Sequence, residues 1–107
     1  MKLTVEGDGF IMVEPTAILV VDGDSQFVVK LPLGADKLLK IADALKDGET
    51  IVLVGNHPRL VVTFDLRPGV YISFCTRVSG GQATAIFDWK HLADIINLLE
   101  SQANVLV

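Results

Sequence analysis

A chain of 107 residues, 50% apolar and 21% charged, is long enough for one packed core and too apolar to be disordered. Its net charge of −4 and pI near 4.9 disfavour non-specific attachment to nucleic acid or to anionic membranes, since both gain affinity from positive charge. No apolar run approaches the roughly 18 residues of a membrane-spanning helix, and the single cysteine, Cys75, cannot form an internal disulfide.

The segment Met1 to Asp8 lacks the long apolar stretch of a signal peptide. The expectation is therefore a single domain over residues 1–107 in the cytoplasm, or in the host cytoplasm if the chain is viral, without membrane contact. A mean hydropathy of +0.50 is high for so small a chain. Part of that apolar excess is expected to meet another chain, and a homodimer is the simplest closed assembly.

In chain order, Leu3-Thr4-Val5 alternates as a short strand, and Gly7-Asp8-Gly9 makes a turn. Phe10 to Val21 is a long β-prone run whose Pro15 calls for a bulge, an edge or a split into two strands. Asp22-Gly23-Asp24-Ser25 is a hairpin turn, and Gln26 to Leu31 returns as a strand. Pro32-Leu33-Gly34 ends it. A helix follows from Ala35 to Lys46, with Leu38, Ile41, Ala42 and Leu45 on one face and Gly48 placed for a left-handed cap.

Four short strands come next, Glu49 to Val54, Arg59 to Leu66, Val70 to Arg77 and Gln82 to Phe87. Asp88 then caps a last helix from about Trp89 to Gln102, whose apolar stripe is Trp89, Leu92, Ile95, Ile96 and Leu99. The order is β-β-β-α-β-β-β-β-α. It predicts a two-layer α+β sandwich, an antiparallel sheet of six to seven strands with two helices on one face.

A repeat lies beneath this order. Leu33 to Leu38 matches Phe87 to Leu92 at a spacing of 54 positions, and in each an apolar residue before the helix start faces a leucine in its first turn. That is a hydrophobic staple, which fixes how a strand enters a helix.

Strand parity sorts the second half into faces. Leu60, Val62, Phe64 and Leu66, with Val70, Ile72, Phe74 and Thr76, are assigned inward. Arg59, Val61, Thr63, Asp65 and Arg67, with Tyr71, Ser73, Cys75 and Arg77, are assigned outward. Residues 55–87 hold three arginines against one aspartate, so this stretch is locally basic in an acidic chain. Arg59, Arg67, Tyr71 and Arg77 suit single-stranded nucleic acid, because guanidinium pairs with phosphate and a base stacks on a phenol ring. The same four suit an acidic protein partner. A merely solvated sheet face carries such residues too.

In the first half, Ile11, Val13, Ala17, Leu19 and Val21 share one parity, and Met12, Ile18 and Val20 share the other with Glu14 and Thr16. Either this strand is buried on both sides, or Pro15 shifts the register.

No catalytic or cofactor pattern is legible. His57 in a proline turn and His91 in a first helical turn stand outside any metal-ligand spacing. Cys75 as a nucleophile needs a histidine brought to it by the fold, and a small packed or half-exposed thiol is the simpler reading. Asp22, Asp24 and Ser25 lack the later ligands of a calcium loop, and Gly80-Gly81 lies in a hairpin rather than before a helix. Asp36 with Asp43, and Asp88 with Asp94, are not spaced as paired carboxylates. Trp89 beside Phe87 reads as a helix–sheet anchor.

Four strands followed by a helix, roughly Glu49 to Gln102, resemble in element order the unit of Whirly proteins, Pur repeats and the single-strand-binding coactivators built like them. That resemblance implies nucleic-acid binding on a curved sheet and dimerisation. The chain departs from it in lacking flanking basic segments and in showing at most three strands in its first half. The reading is a small, non-enzymatic, homodimeric binding protein without cofactor or metal. The alternative is a single-stranded nucleic-acid binder using Arg59, Arg67, Tyr71 and Arg77.

Overall fold

A computed structural model describes residues 3–54, 61–67, 71–78 and 81–105. It is an α+β protein with antiparallel strands and two helices, as its hairpin signals predict. β1 (Leu3–Gly7), β2 (Gly9–Glu14), β3 (Ala17–Val21) and β4 (Val28–Pro32) precede α1 (Ala35–Asp47). β5 (Ile51–Val54), β6 (Val61–Arg67), β7 (Tyr71–Val78) and β8 (Gly81–Asp88) precede a 3₁₀ turn (Trp89–His91) and α2 (Leu92–Asn104).

Two expectations are corrected. The described residues form eight strands, because Pro15 splits the long run: Glu14 pairs with Ala17 across a two-residue turn. They form two four-stranded meanders, β1-β2-β3-β4 and β5-β6-β7-β8, instead of one sheet of six to seven strands. Each strand pairs with its neighbour in the chain, and α1 intervenes between β4 and β5, so each meander closes on itself before a helix. The architecture is four strands and a helix, twice.

The same turn settles the faces of the first half. A two-residue reversal exchanges odd for even parity, so Val13 lies opposite Ile18 and Ile11 opposite Val20. Ile11, Val13, Ile18, Val20, Val29 and Leu31 line one face, and all are buried.

The spacing of 54 extends well beyond the helix entries. Ile18 and Ile72, Val20 and Phe74, Val29 and Ala83, Leu31 and Ala85, Leu33 and Phe87, Ile41 and Ile95, and Leu45 and Leu99 are all buried pairs at that spacing. One core takes residues from both inner sheet faces and both helices, with Trp89, Leu92 and Ile51 packed against it. The helices are also tied at their surface. Lys46 Nζ donates to Glu100 Oε2 at 2.7 Å, between positions again 54 apart, and this bond holds the lysine above its ordinary pKa.

The helix ends follow local chemistry. Gly48 takes φ 70°, and its N–H reaches the carbonyls of Ala44 and Leu45. Asp88 accepts from the Lys90 N–H at 3.2 Å. Gly34 caps α1 without a side-chain bond, and its carbonyl accepts from Lys37 and Leu38.

The buried stripe of α2 runs further than its apolar residues indicate. Ile95, Leu98, Leu99, Gln102 and Ala103 are buried, and neither polar atom of the Gln102 side chain finds a partner. Burying an amide unsatisfied costs about 1–3 kcal/mol. Gln102→Leu is therefore expected to stabilise the fold by about 1–3 kcal/mol. Calorimetry would register this as a rise of several degrees in Tm, whereas an unchanged or lower Tm would mean the amide is satisfied in solution.

Candidate binding face

The second sheet presents two chemically distinct faces. Ile72, Phe74, Thr76, Ala83, Ala85 and Phe87 are buried on one of them. Thr76, the polar member, donates from Oγ1 to the Ala83 carbonyl at 3.2 Å. The opposite face carries Tyr71 and Arg77, both exposed, with Ser73, Cys75, Thr84 and Ile86 half-buried between them. Strand parity thus sorts β7 correctly, inward and outward.

Cross-strand register aligns the backbone of β6, β7 and β8 in rows. Arg67, Tyr71 and Asp88 form one row, Asp65, Ser73 and Ile86 the next, then Thr63, Cys75 and Thr84, then Val61, Arg77 and Gln82. Tyr71 and Arg77 stand six residues apart on one strand, about 20 Å at the usual rise. Of the four residues singled out from the sequence, Tyr71 and Arg77 are exposed here, and Arg67 occupies the register position beside Tyr71. Arg59 lies outside the described residues, as does His57. Cys75 is half-buried, and the Thr84 hydroxyl donates to its sulfur at 3.5 Å.

The lower end of this face adjoins the joint between the two halves. Asp8, in the turn between β1 and β2, exchanges two backbone hydrogen bonds of 2.8 Å with Ile86 on β8. Asp22 strengthens the joint from the next turn. Its Oδ1 accepts from the N–H groups of Asp24 (2.9 Å) and Ser25 (3.0 Å), and its Oδ2 accepts from the Thr84 N–H (3.0 Å). The Asp22 turn is thus a structural clasp between the halves. These three donors, Ser25 foremost, hold the carboxyl below its ordinary pKa.

A lowered folded pKa stabilises the protein above the unfolded value, and that contribution is lost as pH falls through the folded value. Asp22→Asn keeps an acceptor for the turn but sets an amide N–H against Thr84 N–H. It is expected to cost about 1–2 kcal/mol at neutral pH. In thermal melts the gap from the parent should begin to shrink as pH falls below about 4, the unfolded value, and should close once pH passes below the lowered folded value, where the parent carboxylate is itself protonated. A gap independent of pH would refute a role for the charge.

A shallow cleft of about 530 Å³ opens beside this joint, lined by Gly7, Asp8, Tyr71, Ile86, Phe87, Asp88, Lys90 and His91. His91 is half-buried, its ring edge-on to Phe87 at 6.5 Å. Sequence spacing did not associate His91 with Tyr71, because the 3₁₀ turn and the antiparallel return of β8 bring them together. Trp89 packs against the core, as its position beside Phe87 predicts. Among the described residues, no three His, Cys, Asp or Glu side chains stand close enough to hold a metal, and no helix is long and apolar enough to cross a membrane. No protein-family model matches the chain, and neither curated proteins nor solved structures give a significant match.

Proposed function

We propose that the chain is a small, non-enzymatic, homodimeric binding protein, and that it offers the outer face of its second sheet to single-stranded nucleic acid. The observation carrying this reading is the exposed pair Tyr71 and Arg77 on an open antiparallel face whose other side is sealed by the core. A ring for base stacking and a guanidinium for phosphate stand about 20 Å apart on that face, a span suited to an extended strand. A second support is the completeness of the first half. Four strands and a helix occur in each half, so the chain resembles the Whirly and Pur element order throughout and not only from Glu49 to Gln102. The acidic net charge limits the affinity, and the arginine–phosphate contacts make it salt-dependent.

Fluorescence anisotropy with a short labelled oligothymidylate is the test. Binding is expected at low salt and should fall steeply as salt rises. Tyr71→Ala is expected to weaken it by about 1–3 kcal/mol, the worth of one stacked base. Arg77→Glu should weaken it and flatten the salt dependence, while Lys37→Glu on α1 should leave it intact. No binding at low salt would end this reading of the face.

A further inference from the structure

We infer that the cleft at the Tyr71 end of the outer face takes one nucleobase of the bound strand, and that Asp88 there selects a base bearing an exocyclic amino group over thymine, which has none. The inference rests on the nucleic-acid reading above and adds a base preference to it.

The ladder places the two residues side by side. Tyr71 and Asp88 are direct partners across β7 and β8, and the next pair, Ile72 and Phe87, is buried on the inner side. Tyr71 and Asp88 therefore project from the outer face together, with Cβ atoms about 4.5–5.5 Å apart. Both are exposed, and half-buried Ile86 and His91 line the same cleft. At about 530 Å³ the cleft lies within the range of small-ligand sites, roughly 300–1,000 Å³. A phenol ring with a carboxylate at its side complements a flat heterocycle. The ring takes the π face of the base, and the carboxylate meets its polar edge.

The carboxylate decides which base. Asp88 Oδ1 accepts from the Lys90 N–H at 3.2 Å, and Oδ2 has no hydrogen-bond partner among the described residues. Asp8 also lines the cleft, but its carboxylate is turned towards Gly23 at the Asp22 turn. An ionised carboxylate accepts and cannot donate. The amino group of a base supplies the N–H that Oδ2 lacks, as cytosine does when it is read by Asp or Glu. Thymine offers one N–H, set between two carbonyl oxygens that a carboxylate repels. Phosphate is not the group selected at this end, because two carboxylates stand there against the single ammonium of Lys90. Arg77, at the other end of β7, is the phosphate-binding group of the face, so the strand lies with a base on Tyr71 and its backbone running towards Arg77.

Fluorescence anisotropy with short labelled oligomers of deoxycytidine and of deoxythymidine, at neutral pH and low salt, tests this on the full chain. The two bases have rings of one size, so their comparison isolates the polar edge. The cytosine oligomer is expected to bind about tenfold more tightly, the worth of a hydrogen bond to a charged acceptor. Asp88→Asn keeps an acceptor for the helix cap and should melt close to the parent. Its amide donates as well as accepts, so the preference for cytosine should vanish. Asp43→Asn on α1 removes the same charge from an exposed site elsewhere and should leave the preference intact. A cytosine oligomer dimethylated on its amino nitrogens keeps the ring and loses the N–H donors, and should bind no better than the thymine oligomer. Equal binding of the cytosine and thymine oligomers, or a preference that survives either Asp88→Asn or dimethylation, would overturn the base selection and leave the binding face standing. Failure of both oligomers to bind at low salt would remove the face and this inference together.

Discussion

Phe74→Ala is expected to cost about 3–5 kcal/mol of folding stability, a large part of the roughly 5–15 kcal/mol available to a domain of this size. Phe74 is fully buried at the centre of β7, and its ring meets Phe87 edge-to-face with centroids 5.8 Å apart. Its neighbour across the β7–β8 ladder is Ala85, too small to fill the space a missing ring would leave. The cost is therefore the lost transfer of a phenyl group plus a cavity that cannot collapse. Thermal or urea unfolding should show it as a drop in Tm of more than about 10 °C. Phe27→Ala is the contrast. Phe27 is 39% exposed, and its loss should change stability by less than about 1 kcal/mol. Equal effects at the two positions would mean that Phe74 is not at the centre of the core.

Gly9→Val is expected to be nearly as severe, for a different reason. Gly9 has φ 85°, a conformation that costs an L-residue about 1–2 kcal/mol. A Cβ there would also stand 2.5 Å from the Val21 carbonyl oxygen and 2.9 Å from the Gly23 nitrogen. Both are backbone atoms, so no side chain can rotate away. Relief requires the turn to part from its neighbours, which loosens the Asp8–Ile86 bridge that joins the halves. Strain and overpacking together are expected to cost about 2–5 kcal/mol. Amide hydrogen exchange should accelerate first at Asp8, Gly23, Thr84 and Ile86. Gly34→Ala provides the control. Gly34 has φ −77°, and the nearest atom to a Cβ there is a movable Asp36 carboxylate oxygen, so the change should stay within about 1 kcal/mol. Protection that survives at those four amides in Gly9→Val would show that the joint does not depend on this glycine.

The joint also links stability to the candidate face. Thr84 donates its N–H to the Asp22 carboxylate and its hydroxyl to Cys75, so the turn of the first sheet is anchored in the middle of the outward row of the second. Damage at Gly9 or Asp22 should therefore weaken ligand binding at Tyr71 and Arg77 without touching either. Phe74→Ala should abolish binding only as the whole domain unfolds.

Features governed by a few neighbouring residues could be read without a fold. Gly48 as a left-handed cap, Asp88 as an N-cap, the Asp22–Ser25 turn and the inward or outward sense of every described residue from Tyr71 to Arg77 follow from backbone sterics, side-chain acceptors and the two-residue period of a strand. The spacing of 54 was visible at the helix entries, because a staple needs an apolar residue on each side of the cap. It faded in the strands, where Val20 answers to Phe74 and Leu31 to Ala85: burial preserves apolarity, not identity.

Everything that joins distant segments was left to the tertiary structure. Pro15 made the split of β2 from β3 one of three readings, and only the pairing of Glu14 with Ala17 chose among them and reversed the faces of Ala17 to Val21. The division into two sheets, the reach of Asp22 to Thr84 across 62 positions, the meeting of His91 with Tyr71 in one cleft and the burial of Gln102 have no local signature. Hydrogen bonds and staples within a few residues are fixed by the chain's own geometry. Contacts across the molecule are fixed by which apolar faces can be covered at the same time, and only the packed fold decides that.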